Sequence, residues 1–480
     1  MSFRPDDGQT DPERLEEASS DAHPLLATKV KMDHRLLRNG ISAIVGRIAI
    51  VALSAVILPV LSRVTTPDEF GLYLLCVSVT LLLSYAGALG INLSLVRTIA
   101  TQLSMNRFAD AASTVRRGVG TSMAGAVGIA AAWYAFLHFA DFEFCRAFRD
   151  YRIALASSCW LAAQSMGLVL GDAFRGSHNM RAAIAFGGLA PMVIFATSIA
   201  TAGAMGNVAL ERVLWCAVAA WTLSACAGLF VLHLRLRQWE SLAAGQDPGS
   251  TVAVSTLLSA SLPLMISTVA SLVGAQIDLW VVGWHCAADE HPLALYAAAA
   301  RLVAIVNTAL IIVNTVIPPM IAELHAHART AALERLLRGT ATLAGVPAGI
   351  MLVVMLLAGD QLLELIYGPF YRDGGSVLRI LATGNLVFVF GGSAGAALLM
   401  TGYSKTAMAI SVGFSLMILA TTIAAAPYGI EAVATAVALC VAGQKILLVL
   451  CVRRYLAIWP QLYFFPSWNR LRSSFVLEAT

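Results

Sequence analysis

Four ionisable side chains stand inside stretches that are otherwise apolar: Arg47 in GISAIVGRIAIVALSAV, Asp278 in LVGAQIDLWVVGW, Arg301 in YAAAARLVAIVNTA and Lys445 in VAGQKILLVLC. A charge in a hydrocarbon setting is costly and is kept for a use. The three cations fit a ligand carrying phosphate; the lone carboxylate fits a proton or cation that drives a cycle. Each also has a structural reading. The long stems of Arg47 and Lys445 can reach a polar boundary, and Asp278 with Arg301 can form a buried ion pair joining neighbouring helices. A carboxylate that exchanges its Arg for a cation would serve as a switch as well.

The elements that carry these residues follow from composition. Of 480 residues 58% are hydrophobic and 12% charged, against roughly 45–50% and about 25% in soluble domains, and the mean hydropathy is +0.76. A single water-soluble globule is excluded, and a net charge of +4 is too small to indicate nucleic acid. A bilayer crossing needs about 20 helical residues. Twelve apolar runs of that order lie at about 41–62, 71–96, 115–137, 153–172, 182–203, 211–233, 259–285, 294–319, 339–358, 374–399, 404–425 and 430–452. The fold class read from them is all-α: a polytopic membrane protein of about 12 transmembrane helices in two parallel six-helix lobes. Residues 1–35 read as a disordered cytoplasmic tail, 36–233 as the first lobe, 234–252 as a cytoplasmic linker, 253–452 as the second lobe, and 453–480 as a basic, aromatic tail at the membrane surface.

Charge bias sets the orientation. With the N-terminus inside, the cytoplasmic segments near the membrane carry 20 Lys or Arg and the opposite loops six, Arg63, Arg146, Arg149, Arg152, Arg212 and Arg372. That asymmetry places both termini in the cytoplasm. The two halves also repeat. Phe70-Gly71-Leu72-Tyr73 after an acidic loop matches Leu293-Ala294-Leu295-Tyr296 after another. Arg175-Gly176-Ser177-His178-Asn179-Met180-Arg181-Ala182 matches Thr401-Gly402-Tyr403-Ser404-Lys405-Thr406-Ala407-Met408, at about the same offset. Six spans per copy is an even number, so the copies share one orientation about an axis along the membrane normal. Two such lobes can enclose a cavity that opens to either side.

Other signals are weaker. Asn92, Gln164, Gln276, Asn307, Asn314, Asn385 and Gln444 add polarity to the spans, as cavity lining or as hydrogen bonds between helices. Gln276 and Asp278 point about 200° apart on a helix, so they cannot both face one cavity. Gly167/Gly171, Gly345/Gly349 and Gly391/Gly395 read as packing sites, and Pro59, Pro191, Pro263, Pro318, Pro319 and Pro347 as kinks or hinges. Eight cysteines without CxxC spacing indicate neither zinc nor disulfides. Glu323, His325 and His327 lack metal-site spacing, and Gly118-Val-Gly120 lacks a following GK[ST]. No catalytic, metal or cofactor site is expected, and energy is expected from a proton or sodium gradient or from the substrate's own gradient.

Several segments taken in order resemble bacterial polysaccharide flippases (O-antigen/exopolysaccharide) of the multidrug/oligosaccharidyl-lipid/polysaccharide exporter superfamily. They are LLRNGISAIVGRIAIVALSAVILPVLSRVTTPDEFGLYLL, AFRGSHNMRAA, IDLWVVGWHCAADEHPLALYAAAARL and LLELIYGPFYRDGGSVLRILA; the resemblance covers about residues 36–452. It implies translocation of undecaprenyl-diphosphate-linked oligosaccharide repeat units across the bacterial inner membrane by alternating access. The ligand would be a lipid-linked oligosaccharide amid membrane lipids, with polysaccharide assembly proteins as partners and no nucleic acid. It further implies cavity arginines at Arg47 and Arg301 and ion coupling at Asp278; Lys445 joins the substrate-binding residues on its charge at membrane depth alone. The chief rival is a drug/cation antiporter of the same superfamily, which would want more carboxylates. A membrane glycan polymerase or ligase is disfavoured by the short outer loops. A peptidoglycan-precursor flippase would show more than twelve spans.

Overall fold

The structure, a computed structural model, describes residues 45–139, 150–204, 206–243, 253–285 and 291–462. Every regular element among them is a helix, as lipid demands of chains whose backbone groups have no water to bond. The first lobe contains α1 (Val45–Val64), α2 (Pro67–Gly87), α3 (Ile91–Ser104), α4 (Phe108–Phe139), α5 (Tyr151–Gly176), α6 (Met180–Ile184), a π-helical turn, α7 (Ala190–Gly203) and α8 (Leu210–Leu242). The second contains α9 (Val254–His285), α10 (His291–Ala326), α11 (Thr330–Tyr367), a 3-10 turn over Pro369–Gly374, α12 (Gly375–Phe390), α13 (Ala394–Met400), α14 (Ser404–Ala425) and α15 (Ile430–Leu456). Among the described residues ten spans are long and apolar enough to cross a bilayer. At 32 and 36 residues, α9 and α10 extend about 48 and 54 Å and supply two more crossings.

Three details differ from the sequence expectation. The run at 71–96 is two helices, because Leu89 and Gly90 take positive φ (55° and 65°) between α2 and α3. A Cβ on Gly90 would fall 2.8 Å from the Ser261 carbonyl oxygen, so the break sits where α9 presses against the chain. The run at 374–399 is likewise divided into α12 and α13 at Gly391–Ser393, with Gly392 at φ 56°. The polar stretch 234–252 begins as helix. α8 continues to Leu242 because Trp239 is buried against the first lobe and Glu240 pairs with Arg116. Residues 1–35, 244–252 and 463–480 lie outside the described residues, as does the side chain of Asn314.

The helices alternate in direction, so α1 starts and α15 ends on one face, here called proximal; the α1–α2 turn lies on the distal face. Thr66 starts α2 with a capping box to Glu69, preceding Pro67, and Glu69 also accepts the backbone N–H of Leu210 at 3.1 Å. That carboxylate therefore fixes the distal ends of α2 and α8 together.

The pseudo-twofold axis is visible at the distal face. His291 and Asp68 lie 2.5 Å apart and are separated by 223 positions. Gly71 meets Ala294, also 223 positions on, so closely that a Cβ on Gly71 would be 3.0 Å from the Ala294 nitrogen. Equivalent residues of the two repeats therefore touch across the axis. Beside it Ser62 donates to the Tyr367 carbonyl at 3.0 Å, Arg63 to the Leu365 carbonyl at 2.8 Å, and Phe70 packs against Tyr367 and Tyr371. The YGPFY segment is thus the distal seal between lobes.

Burial follows the same division. One hydrophobic core including Leu61, Phe70, Tyr73, Tyr296 and Tyr367 crosses both lobes. Toward the proximal face it gives way to two separate cores, one around Ile91, Phe174 and Trp239 and the other around Ile321, Leu337 and Leu398. The lobes are joined distally and part proximally, apart from a seam where Ser94 and Ser261 hydroxyls meet at 2.6 Å.

Candidate functional site

Helix α10 separates two cavities. Arg301, Ala304, Ile305 and Thr308 face a cavity of about 290 Å³ between the lobes. Ala300, Val303, Ala304 and Asn307 face one of about 380 Å³ inside the second lobe. At 100° per residue these stripes are centred about 100° apart, and Ala304 belongs to both.

The inter-lobe cavity is bounded in the first lobe by α1 (Val51, Ser54, Leu58), α2 (Tyr73, Val77), α7 (Met192, Phe195) and α8 (Trp221). Arg301 is its one charged lining residue, and no carboxylate lines it. The guanidinium forms no hydrogen bond or ion pair with the described residues, and its Nη2 is buried without a partner. It lies within electrostatic reach of Tyr73, Tyr367 and Asp278. A half-buried guanidinium with no partner among the described residues is poised to hold an anion.

Asp278 opens into the other cavity. It forms no direct ion pair with Arg301; its Oδ2 accepts the Tyr296 hydroxyl at 2.8 Å. Asn307 donates to Asn385 Oδ1 at 2.7 Å, while its own Oδ1 is buried without a donor. Ser271, Ser411, Ser415 and Gln444 complete the polar lining, whereas Gln276 is not part of it. Oxygen-rich surroundings of this kind suit a proton or a hard cation. Among the described residues no group of three His, Cys, Asp or Glu that could hold a metal ion occurs.

Arg47 is exposed on α1, one turn before Val51 on the stripe that continues through Ser54 to Leu58, about 10 Å along the axis from Ser54. It stands at the proximal approach to the inter-lobe cavity. Tyr85, within electrostatic reach of Arg47, is near Asp172 and Arg175 too. Lys445 is 4% exposed and belongs to neither cavity. Its Nζ donates to the Gly392 carbonyl at 2.5 Å and lies 4.3 Å from the centre of the Phe388 ring. It therefore satisfies a carbonyl in the break between α12 and α13, just past the C-terminal end of α12, where a cation is favoured by the helix dipole.

Among the groups that the sequence reading leaves out, two stand out. Asp172, at the proximal end of α5, accepts from Asn92 at 2.9 Å and from Arg175 at 2.5 Å; it had no place there because it falls at the edge of an apolar run. The other is a box of four rings. Tyr73 is stacked between Trp160 and Phe195, with centroids 6.0 and 6.1 Å away and planes within 12°. Trp221 closes the box edge-on to Trp160 and Phe195. Each such pair contributes about 0.5–1.5 kcal/mol beyond burial. The rings come from four helices, so no local spacing announces them.

Comparison with known proteins places this arrangement. Among curated proteins no sequence relative is found. Solved structures share the fold at low identity. An inward-facing multidrug resistance MATE family transporter of the MOP superfamily superposes with a TM-score of 0.64 at 15% identity, covering 86% of this chain and 98% of that one. A MOP superfamily transporter from Pyrococcus furiosus gives 0.58 at 13%, covering 88% and 95%. A Vibrio cholerae MATE transporter gives 0.58 at 14%, covering 90% and 98%. Residues 36–325, more than half of the chain, match the family described as polysaccharide biosynthesis protein. With a repeat about a central axis and a cavity between its lobes, the chain shares the fold of those transporters, and it belongs to the family described as polysaccharide biosynthesis protein.

Proposed function

We propose that this protein is a flippase carrying undecaprenyl-diphosphate-linked oligosaccharide repeat units from the cytoplasmic to the outer leaflet of the bacterial inner membrane, for surface polysaccharide such as lipopolysaccharide or exopolysaccharide. The observation that carries the reading is Arg301: an unpartnered guanidinium in an inter-lobe cavity with no carboxylate in its lining. Such a cavity attracts a diphosphate and repels a cationic drug. The transporter from Pyrococcus furiosus is described as having a binding pocket of reverse polarity that suggests a different function, which supports cavity polarity as the property that sorts function on this fold. The proximal face is cytoplasmic on the charge bias. The lobes then part toward the leaflet where the substrate is made, and Arg47 meets the diphosphate before Arg301 does.

Coupling is assigned to Asp278. A proton or sodium ion arriving there neutralises the carboxylate bonded to Tyr296 on α10, the helix that presents Arg301 on another face. Occupancy of one cavity is thereby linked to the position of the other cavity's cation, and a shift follows only if the two conformations bind the ion differently. No catalytic step on the sugar is involved.

The test is surface polysaccharide in cells carrying Arg301→Ala or Arg47→Ala at normal protein level. Its disappearance is expected, with partial recovery in Arg301→Lys, since Lys keeps the charge but not the fork. Undiminished polysaccharide in both alanine variants sinks the cavity reading. Efflux of a lipophilic cation dependent on Asp278 would favour the antiporter instead. For the coupling role, Asp278→Asn in proteoliposomes must lose its response to an imposed ion gradient.

A further inference from the structure

The cavity that holds Asp278 has a direction. Its lining runs about 10 Å along each of five helices: from Asp278 to Ser271 on α9, Ala300 to Asn307 on α10, Leu381 to Phe388 on α12, Ile418 to Ser411 on α14 and Val437 to Gln444 on α15. In every case the second residue is the proximal one. The distal ring is apolar apart from Asp278, and beyond it the same helices close with the buried side chains of Tyr296, Leu378, Thr422 and Val433. The proximal ring is polar except at Phe388, and its Ser271 and Ser411 are exposed. Between the rings Ser415 donates to the Ser411 carbonyl at 2.9 Å, which leaves its oxygen lone pairs as acceptors. It sits against Gly274, one turn proximal of Asp278. The half-buried Gln444 amide lines the cavity and has no hydrogen bond among the described residues. No Lys or Arg lines it. The space is therefore a blind well with a carboxylate at its floor, hydroxyl and amide oxygens up its wall, and a polar mouth on the proximal side. Such a wall gives water or a hard cation a polar partner at each level.

We infer that Asp278 exchanges its ion with the proximal side along this well, with Ser415, Gln444, Ser411 and Ser271 as the polar groups that stand in for water on the way. The inference rests on Asp278 being the coupling carboxylate; it adds the side from which that carboxylate is reached and the residues that line the approach. Helix α10 divides the well from the inter-lobe cavity, so the ion does not pass Arg301, whose charge would oppose it. Substrate and ion thus have parallel routes that lead the same way, while the packed residues beyond the distal ring close the path to the other face.

The experiment uses the full-length protein with its eight native cysteines replaced and either Ser415→Cys or Gln444→Cys added. The probe is 2-aminoethyl methanethiosulfonate, applied to inverted vesicles or to spheroplasts with free cysteine as scavenger in the opposite compartment, and modification is read by intact mass. Ser404→Cys, exposed at the proximal start of α14, and Tyr428→Cys, 83% exposed at the distal face, establish which side each preparation presents. Both well cysteines should react faster from the proximal side by about tenfold or more, the mark of one open side and one packed one. In proteoliposomes Gln444→Leu and Ser411→Leu should slow ion-driven translocation by about two- to tenfold, the cost of one unmade hydrogen bond on the path, with farnesyl diphosphate binding unchanged. The route is overturned if the well cysteines react from the distal side alone, equally from both sides, or not at all while the control cysteines react. It is overturned as well if neither leucine variant slows translocation. The coupling reading fails separately, if Asp278→Asn keeps its full response to an ion gradient while the well cysteines still react proximally. Melting curves identify unfolded protein, and the second variant of each pair decides the matter if the first does not fold.

Discussion

If the distal contact at the pseudo-twofold axis is a gate, locking it must stop transport. A Cβ on Gly71 would lie 3.3 Å from the Ala294 Cβ, a few tenths of an ångström below the ~3.5–4.5 Å span of a disulfide. Gly71→Cys with Ala294→Cys therefore needs only a small separation of α2 and α10 to close. Before oxidation the same substitution is a wedge. The new Cβ sits 3.0 and 3.1 Å from the Ala294 backbone nitrogen and Cα, and overpacking of this kind costs about 1–3 kcal/mol. That cost falls on the distally closed state alone, lowering its population relative to the open one by roughly fivefold to a hundredfold. Reduced and oxidised protein should thus depart from wild type in opposite directions, one biased open and the other fixed closed. The assay is translocation of a short-chain lipid-linked sugar in proteoliposomes, in a background with the eight native cysteines replaced. Thiol labelling reports the degree of cross-linking. Translocation should vanish on oxidation and return with reductant. Complete cross-linking with undiminished translocation would refute opening at this axis.

Three further perturbations separate the roles of the buried groups. Tyr296→Phe removes the hydrogen bond to Asp278, worth about 1.5–3 kcal/mol when the acceptor is charged. The half-saturating concentration of the driving ion should move in proteoliposome titrations, and an unchanged value would separate Asp278 from coupling. Lys445→Met should lower the melting temperature by leaving the Gly392 carbonyl without its donor, about 1–3 kcal/mol, while lipid-diphosphate binding is retained; lost binding at unchanged melting would make Lys445 a substrate ligand. Asp172→Ala leaves Asn92 and Arg175 without their shared acceptor and should destabilise the protein by a similar amount in chemical or thermal unfolding, whereas Arg175→Ala, removing a half-exposed partner, should cost less.

Much of the architecture was legible because membrane insertion writes it into single residues. Twelve apolar runs, the excess of Lys and Arg on one side and the 223-residue echo of FGLY in LALY need no tertiary knowledge, and the contact of Asp68 with His291 bears out that echo. The helix breaks were not legible. Gly87-Ala88-Leu89-Gly90 resembles any glycine-containing span until Ser261 and Met265 of α9 are placed against it. Among the charges, Arg301 and Asp278 were identified as unusual residues, but the sequence left a direct ion pair open between them. The structure shows why there is none: Tyr296, five residues before Arg301, reaches the carboxylate first. Lys445 stood out for its charge, yet its environment is set by a helix end 53 residues away. Arg379 was passed over at the start of its span, where it pairs with Asp360.

The repeat gives the two lobes one plan, and the proposed site residues are departures from it. Tyr73 and Tyr296 occupy equivalent positions at the 223-residue offset, on helices that meet at the axis. In the first lobe the ring is stacked between Trp160 and Phe195 beside the inter-lobe cavity; in the second its hydroxyl is bonded to Asp278. The same offset carries Asp278 back to Ala55 and Arg301 back to Ser78, which accepts a hydrogen bond from Trp280 across the lobe interface. One lobe thus holds the aromatic box and the other holds both Asp278 and Arg301. Two identical lobes could rock about the axis but would give neither direction nor selectivity, since every group on one side would be matched on the other. Under the proposed coupling, restricting the carboxylate to one lobe would let an ion act on one side of α10, and Arg301 on that helix would pass the action to the cavity. If the assignment of labour is right, transferring the carboxylate by Ala55→Asp in an Asp278→Ala background will not restore coupling, because Tyr73 is already engaged with its aromatic neighbours. Restored ion-driven transport in that double variant would show that the lobes are interchangeable and that the asymmetry has no mechanistic weight.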